Sequence, residues 1–156
     1  MEIRRLSLSD YQKYKIEIIN MMEEIYASNF AISVSESKKI ASEKVENLEK
    51  YLDDGSAILI GCIKDGNLIA FAWLYVHKHF GEKRVHINQI AVSSSFQGNG
   101  IGKKLMLEVE KEATRIAADA LDLFVMESND VAIKLYDGLN FETEKRYMIK
   151  KLKVNK

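Results

Sequence analysis

Proline is absent from the chain, and cysteine occurs once, at Cys62 inside the apolar run AILIGCIK. A single cysteine excludes an intramolecular disulfide and a zinc site built from cysteines, and its apolar surroundings favour a buried, inert thiol. Long hydrophobic runs are missing too: the longest, LIAFAWLYV, has nine residues, well short of the roughly 20 that a membrane-spanning helix needs. The opening MEIRRLSLSDYQK has no apolar core after its charges, so no signal peptide is expected.

An excess of charge of either sign is also lacking, because 23 lysines and arginines balance 23 aspartates and glutamates among 156 residues. The chain as a whole therefore offers no basic surface for nucleic acid, which leaves local basic patches as the alternative. Apolar residues at 47% and charged residues at 29% are typical of a globular protein with one core. We therefore expect a cytoplasmic protein that forms a single domain over residues 1–156, with neither nucleic acid nor a membrane as a partner.

Helical and strand patterns alternate along the first half of the chain. A short strand, EIRRL, precedes a helix that Ser9 and Asp10 can cap. Ser33 and Glu36 stand at capping-box spacing before a second helix, which runs to about Leu52. Two β-rich runs, AILIGCI and LIAFAWLYV, then flank KDGN, whose Asp-Gly pair predicts a hairpin because the tight turn requires positive φ.

The second half of the chain has a different order. After a strand over about residues 84–92 come a glycine-rich loop, a helix over about 102–118, the strand LDLFVM, a helix over about 130–138 and a final strand within FETEKRYMIKKL. A strand–helix–strand crossover makes its two strands parallel, whereas strands joined by hairpins are antiparallel. We therefore predict an α/β (α+β) fold, with a mixed, mostly antiparallel central sheet of six to seven strands and helices on both faces.

The loop QGNGIGK, residues 97–103, has three glycines in five positions and joins a strand to a helix. The first amides of a helix lack main-chain acceptors and its dipole end is positive, so this place favours an anion. Glycine lets those amides approach a phosphate, and Lys103 and Lys104 add charge nearby. Neither the Walker A spacing nor G-x-G-x-x-G is matched. A phosphate-bearing ligand is the physical expectation, and a flexible turn without a ligand is the alternative.

About thirty residues after the loop comes NDVAIKLYDGLNF, and with this second motif the chain resembles the GNAT family of N-acetyltransferases. The resemblance is carried by QIAV at the strand end, by the loop from Gln97 to Gly102, and by the downstream pattern of Asn129, Ala132, Leu135, Tyr136 and Phe141. These motifs occupy residues 88–141, although the order of elements agrees over about residues 8–152.

The resemblance implies a GNAT fold in which parallel strands splay apart to admit acetyl-CoA, the acetyl donor. Backbone groups of the QIAV strand end would hold the pantetheine arm, and amides of the loop would hold the pyrophosphate. The residues implied for cofactor binding are Ile90, Ala91, Val92, Gln97, Gly98, Asn99, Gly100, Ile101, Gly102, Lys103, Asn129 and Tyr136. No metal is expected.

Amide formation from a thioester needs a neutral amine, a stabilised oxyanion and a proton for the leaving thiolate. The resemblance implies the amide of Ile90 or its neighbour as the oxyanion donor and Tyr136 as the general acid, since a phenol has a pKa of about 10. Asn129 and Tyr136 are seven residues apart, hence on one helix face and about 10 Å apart along its axis. One of the two side chains could bind the pantetheine while the other reaches the sulfur. The alternative is that Tyr136 is a core residue whose hydroxyl lies at the rim.

The general base is where the sequence departs from the family pattern. The positions at which many relatives carry glutamate hold residues that take no proton at neutral pH: Asn88, Gln89, Phe124 and Val125. His86, Glu127 and an ordered water remain as candidates. Strand alternation places His86 on the same face as Asn88 and Ile90, and histidine titrates in the useful range. The predicted catalytic residues are therefore Tyr136, His86 and Asn88, with no dedicated carboxylate base.

Two more histidines, His77 and His79, alternate in YVHKHF. Without a third ligand nearby, they predict a solvated strand end rather than a metal site. Phe71, Trp73 and Tyr75 alternate along the same strand and are predicted to be core residues or one wall of an acceptor pocket.

The uncharged segment SNFAISVS, residues 28–35, borders the acceptor site in folds of this kind and gives no indication of the acceptor. The resulting hypothesis is an N-acetyltransferase that transfers the acetyl group of acetyl-CoA, by direct attack, to a primary amine of a small molecule or of a protein or peptide. A non-catalytic acyl-CoA-binding module is the alternative that the missing carboxylate leaves open, and a nucleotide-binding protein is a third. A homodimer is compatible with this fold.

Overall fold

The computed structural model describes residues 1–153. The chain divides into two compact units, Met1–Phe124 and the residues from Val125 onward. The strands and helices of the first unit are β1 Glu2–Arg5, α1 Leu8–Asn29, α2 Val34–Asp53, β2 Ala57–Lys64, β3 Asn67–His79, β4 Glu82–Val92, α3 Ile101–Arg115 and β5 Ala120–Leu123. The second unit contains the helix α4, Asp130–Gly138. Within residues 1–153, no helix has both the length and the apolar character that crossing a membrane requires.

The five strands form one mixed sheet in the order β1-β2-β3-β4-β5. Strands β1 to β4 form an antiparallel meander, and β5 pairs with β4 in parallel, as expected when a helix such as α3 makes the crossover. Asp65 and Gly66, in the turn between β2 and β3, adopt φ values of 51° and 79°. These angles confirm the hairpin that the Asp-Gly pair predicted.

Helices cover the sheet on both faces, as predicted. The face that carries Leu59 and Phe71 belongs to one hydrophobic cluster with the buried sides of α1 and α2, including Ile18. Helix α3 contacts β2, β3 and β4, and its buried Leu105 and Val109 lie outside that cluster. The sheet is therefore the middle layer of the first unit, and both of its faces are largely apolar.

Two features of the predicted sheet are wrong. Within residues 1–153 the sheet has five strands rather than the predicted six to seven. The strand expected within residues 141–152 is not formed, since none of the described residues after Gly138 is in a helix or strand. The side chains of Tyr147, Met148 and Ile149 are largely exposed there. A β-rich composition produces a strand only where a neighbour supplies main-chain hydrogen bonds, and the described part of the second unit contains no strand that could supply them. That the whole chain forms one domain stays a prediction.

The start of α1 is set by Ser7 rather than by Ser9. The Ser7 side chain accepts from the Asp10 amide at 3.1 Å, and the Asp10 carboxylate accepts from the Ser7 amide at 2.9 Å, which makes a complete capping box. Arg4 on β1 donates two hydrogen bonds to the same carboxylate, at 2.7 and 3.0 Å. These bonds hold the pKa of Asp10 well below its usual range. The sequence pattern predicted Ser9 and Asp10 as the cap, whereas the cap is Ser7, two residues before Ser9. Asp10 takes part in the capping box from the third helical position and is not the cap itself.

We predict that Asp10→Asn destabilises the fold by about 1 kcal/mol at neutral pH, the size of a lost capping interaction. The folded-state pKa of Asp10 is depressed, so its contribution to the free energy of unfolding is present above the unfolded-state pKa, about 3.9, and disappears as the pH falls toward the folded value. Urea unfolding of both proteins at pH 7 and below pH 4 measures this.

Glu36→Gln provides a matched control for that substitution. Ser33 caps α2 and accepts from the Glu36 amide, but no return bond from the Glu36 carboxylate is found within residues 1–153. Removing this carboxylate should therefore change the unfolding free energy much less. Equal losses in the two variants, or a loss in Asp10→Asn that does not shrink in acid, would contradict the assignment.

Candidate active site

The glycine loop leaves β4 at Val92 and reaches α3 through a short turn, Ser94–Phe96. Gly98 and Gly100 adopt φ values of 79° and 74°, a region that side chains other than glycine rarely occupy. The Gln97 side chain donates to the carbonyl of Val92 at 3.0 Å, and the Asn99 side chain donates to the carbonyl of Phe96 at 3.2 Å. The two polar side chains of the loop therefore brace its own backbone, and what the loop presents outward is main chain.

The main-chain amides at the start of α3 have no acceptor. Helix α3 begins at Ile101, and the Lys104 amide donates to the carbonyl of Gly100 at 3.2 Å. Within the described chain no acceptor is found for the amides of residues 101–103, and Gly100, the capping residue, provides no side chain to satisfy them. With the exposed side chains of Lys103 and Lys104 beside them, these amides form an electropositive position suited to an anion.

Strand β4 loses its parallel neighbour before it ends. The pairing with β5 covers only Arg84 to Ile87, opposite Ala120 to Leu123. Beyond that point β4 is paired with β3 alone, through Val92 opposite Ala70. The edge of β4 that faces away from β3 is therefore open along Ile90–Val92 in the described residues, and it leads directly into the glycine loop.

A β-bulge at Asn88 changes which side chains share a face. Trp73 on β3 pairs with Gln89, but the next residue, Leu74, pairs with Ile87, so Asn88 is the extra residue of the bulge. His86 pairs with Tyr75 and lies on the face covered by α1 and α2, whereas Ile90 pairs with Ala72 on the opposite face.

The expectation that His86, Asn88 and Ile90 share one face is therefore wrong. The physical reason is the additional residue, which shifts the alternation of the strand by one position. A bulge of this kind leaves no clear signature in the apolar pattern of the strand.

A hydrogen-bonded cluster surrounds Asp122 on β5. His86 Nδ1 lies 2.6 Å from Asp122 Oδ1, and His77 Nε2 lies 3.1 Å from Oδ2. Arg84 Nη1 is 3.7 Å from the same Oδ2. An ionised carboxylate only accepts, so in the neutral imidazole of His86 the proton is on Nδ1 and the lone pair is on Nε2. The His86 ring also lies 4.8 Å from the ring of Tyr75.

Sequence analysis did not identify Asp122, although an aspartate inside the apolar run ALDLF is itself a signal of a paired or functional charge. Its presence corrects the statement that no third ligand lies near the histidines: the donor atoms of His77, His86 and Asp122 are within 4.8 Å of one another. Since Arg84 already places a positive charge beside this carboxylate, we describe the cluster as a hydrogen-bonded network. That no metal binds stays a prediction.

A pocket of about 460 Å³ opens on the face of the sheet covered by α1 and α2. The lining residues come from α2, the end of the loop before β2, and strands β2 to β4: Lys44, Asn47, Tyr51, Ser56, Ala57, Trp73, Tyr75, Val76 and Asn88. Trp73 also belongs to the hydrophobic core, so both roles predicted for the aromatic residues of β3 are combined there. The volume of the pocket is in the range of small-molecule binding sites.

The second unit holds the other predicted residues. Asn129 caps α4, its side-chain oxygen accepting from the Ala132 amide at 3.2 Å. The Tyr136 side chain is buried and its ring lies 5.6 Å from that of Phe141. Burial raises the pKa of Tyr136 above its usual value, so the phenol stays protonated through the neutral range. Glu127, the alternative base, is exposed.

Comparison with known proteins places this geometry among acetyltransferases. A sequence model described as the acetyltransferase (GNAT) family matches residues 19–141. The chain is 24% identical over 124 residues to the spermine/spermidine N(1)-acetyltransferase of Bacillus subtilis, covering 76% of this chain and 78% of that one. It is 25% identical over 88 residues to the mycothiol acetyltransferase of Propionibacterium freudenreichii, where the match covers 56% of this chain but only 28% of that longer protein.

Among solved structures, the chain is similar in fold to the PaiA N-acetyltransferase of Thermoplasma acidophilum, which is in complex with coenzyme A. The TM-score is 0.76 at 22% identity, and the match covers 94% of this chain and 92% of that one. At this identity the likeness shows a shared fold.

Proposed function

Because the chain belongs to the acetyltransferase (GNAT) family, we propose that it transfers the acetyl group of acetyl-CoA to a primary amine. The observation that carries the proposal is the open edge of β4 at Ile90–Val92, which runs into the acceptor-free amides at the start of α3. An extended arm followed by a diphosphate is the ligand that such an edge and such a helix end accommodate together.

Cofactor binding is assigned to the main chain. The main-chain groups of Ile90 and Val92 that face away from β3 would bond the pantetheine arm as a neighbouring strand would, whereas those of Ala91 face Phe71 of β3. The amides from Gly98 to Lys103 would bond the pyrophosphate. A Cβ built on Gly98 or Gly100 meets no atom within 4 Å, so the space in front of the loop is open to a ligand. The side chains of Gln97 and Asn99 support the loop in this scheme rather than contact the phosphates.

The reaction we propose is direct attack. The amine nitrogen attacks the thioester carbonyl carbon, the Ile90 amide or its neighbour stabilises the oxyanion, and the carbon–sulfur bond then breaks. The amine gives its proton to His86, whose Nε2 is the acceptor once Asp122 holds Nδ1–H. Asn88 lines the pocket and would orient the incoming amine by hydrogen bonding.

Tyr136 is assigned as the general acid from its place in the family motif. It would donate its phenolic proton to the departing thiolate, so that the products are the N-acetylated amine and free CoA. Burial raises the pKa of Tyr136, so its phenol remains protonated through the neutral range and has a proton to donate. Proton exchange with solvent returns Tyr136 and His86 to their starting states.

The cofactor assignment predicts that Gly100→Val weakens CoA binding by about tenfold or more, because a β-branched residue is strained at φ 74° and displaces the following amides. Gly81→Val is the matched control: φ is 86° there, and a Cβ also meets no atom within 4 Å. Calorimetric titration with CoA compares them. If Gly100→Val binds CoA as tightly as the unmodified protein does, the loop is not part of the CoA site.

The acid assignment predicts that Tyr136→Phe loses about 10²- to 10⁴-fold in kcat while its CoA affinity stays within about twofold of the original. The measurement is free thiol released in the presence of a panel of amines, with CoA affinity determined separately. Undiminished turnover would show that the hydroxyl does not act on the sulfur. If neither protein releases thiol yet both bind CoA, the chain is the non-catalytic acyl-CoA-binding module.

The base assignment predicts that kcat/KM rises with pH through an inflection, and that His86→Gln removes this inflection. Asp122→Asn should lower the rate because a carboxamide does not fix the Nδ1–H tautomer. His77→Gln, which leaves the 2.6 Å bond between His86 and Asp122 intact, is the control and should retain the inflection. An inflection that survives in His86→Gln would assign the proton to water or to Glu127.

A further inference from the structure

The pocket on the α1/α2 face has an unusual charge for an enzyme whose acceptor is an amine. Among the described residues that line it, Lys44 is the single charged side chain, and none is a carboxylate. A polyamine or another polycation would have to place further ammonium groups beside Lys44 without a counter-charge, which is unfavourable in a partly desolvated cleft. The lining therefore points away from a polycationic acceptor.

Lys44 is held in place by its surroundings. Its ammonium nitrogen lies 5.3 Å from the centroid of the Tyr26 ring, within the range of a cation–π interaction. Tyr26 is itself buried in the core formed by α1 and α2. The Lys44 ammonium group is therefore placed beside a buried ring, and Lys44 itself lines the pocket.

The Asp122 carboxylate, on the same face of the sheet as Tyr75, is already engaged. Asp122, whose charge adds to the effect of burial in raising the pKa of Tyr75, accepts from His77 and His86. It is also 3.7 Å from the guanidinium of Arg84. It therefore does not provide a free counter-charge for a second ammonium group of the acceptor.

The remaining walls are aromatic and amide in character. Trp73, Tyr75 and Tyr51 present rings to the pocket, while Asn47 and Asn88 present carboxamides. Rings favour a flat or apolar body, and carboxamides bond neutral polar groups. A small molecule with an apolar middle fits this lining and the volume of about 460 Å³.

We propose that the acceptor is a small primary amine with one ammonium group, an apolar or aromatic body, and an anionic group at its far end that pairs with Lys44. This proposal rests on the proposed acetyltransferase function and names its substrate class. Acetylation removes the ammonium charge of such a compound and leaves its anion, so the product keeps the contact with Lys44.

The test compares two amines of the same shape. 4-(Aminomethyl)benzoate carries the anion, and 4-(aminomethyl)benzamide does not; spermidine represents polycations. We expect kcat/KM for the benzoate to exceed that for the benzamide by about two- to fivefold, the size of one partly exposed ion pair, and spermidine to be the poorest acceptor. Calorimetric titration of each amine into the CoA-saturated protein measures the same preference without turnover.

Lys44→Glu should reverse the preference between benzoate and benzamide, and Lys44→Met should abolish it. Lys39→Glu is the control, because Lys39 is another exposed residue of α2 and does not line the pocket. It should leave the preference between benzoate and benzamide unchanged. Equal use of the pair by the original protein, a preference for spermidine, or a benzoate preference that survives in Lys44→Glu would overturn the proposal while acetyl transfer itself stands.

Absence of thiol release with all amines would instead contradict the acetyltransferase function. The calorimetric comparison then still decides the acceptor class: selective binding of the benzoate that depends on Lys44 supports it, and indifference of the pocket to the anion overturns it.

Discussion

The main chain of β4 beyond Ile87 has a strand partner on one side only, and the candidate site depends on this. Had β5 continued beside β4, the main-chain groups of Ile90 and Val92 that face away from β3 would have been bonded within the sheet. Because β5 ends at Leu123, that edge remains available to an extended ligand. The strand then passes into a loop whose positive-φ glycines turn the chain into α3. The open edge of β4 therefore leads directly, through the glycine loop, to the N-terminus of α3.

Binding through the main chain separates two problems that an acetyltransferase has to solve. In the proposed scheme the cofactor would be bound by main-chain groups, which every residue possesses. The side chains of Gln97 and Asn99 brace the backbone of the loop, and the acceptor would contact side chains on the α1/α2 face of the sheet. The bulge at Asn88 marks the boundary, since it places His86 on the α1/α2 face and Ile90 on the α3 face.

Charge on the acceptor side is concentrated at one carboxylate. Asp122 is hydrogen-bonded to two imidazoles and lies close to a guanidinium, so a single partly buried carboxylate organises several cationic or polar groups. The pocket nearby has no carboxylate among its lining residues and one lysine. The chain is similar in sequence to enzymes named for spermine and for mycothiol.

The sequence by itself determined the order of elements up to α4, the hairpin at Asp65 and Gly66, the glycine loop before α3 and the family, because these depend on local propensity and on motifs of contiguous residues. It failed where partners are distant. No strand forms within residues 141–152, since strand formation depends on a neighbour and not on composition alone. The cluster of His77, His86 and Asp122 draws on three strands, and the pocket around Lys44 draws on a helix and three strands. Only the tertiary structure revealed this cluster and this pocket. Strand pairing in the sheet brings their residues together, and the number of residues between them in the chain does not predict how close they lie in space.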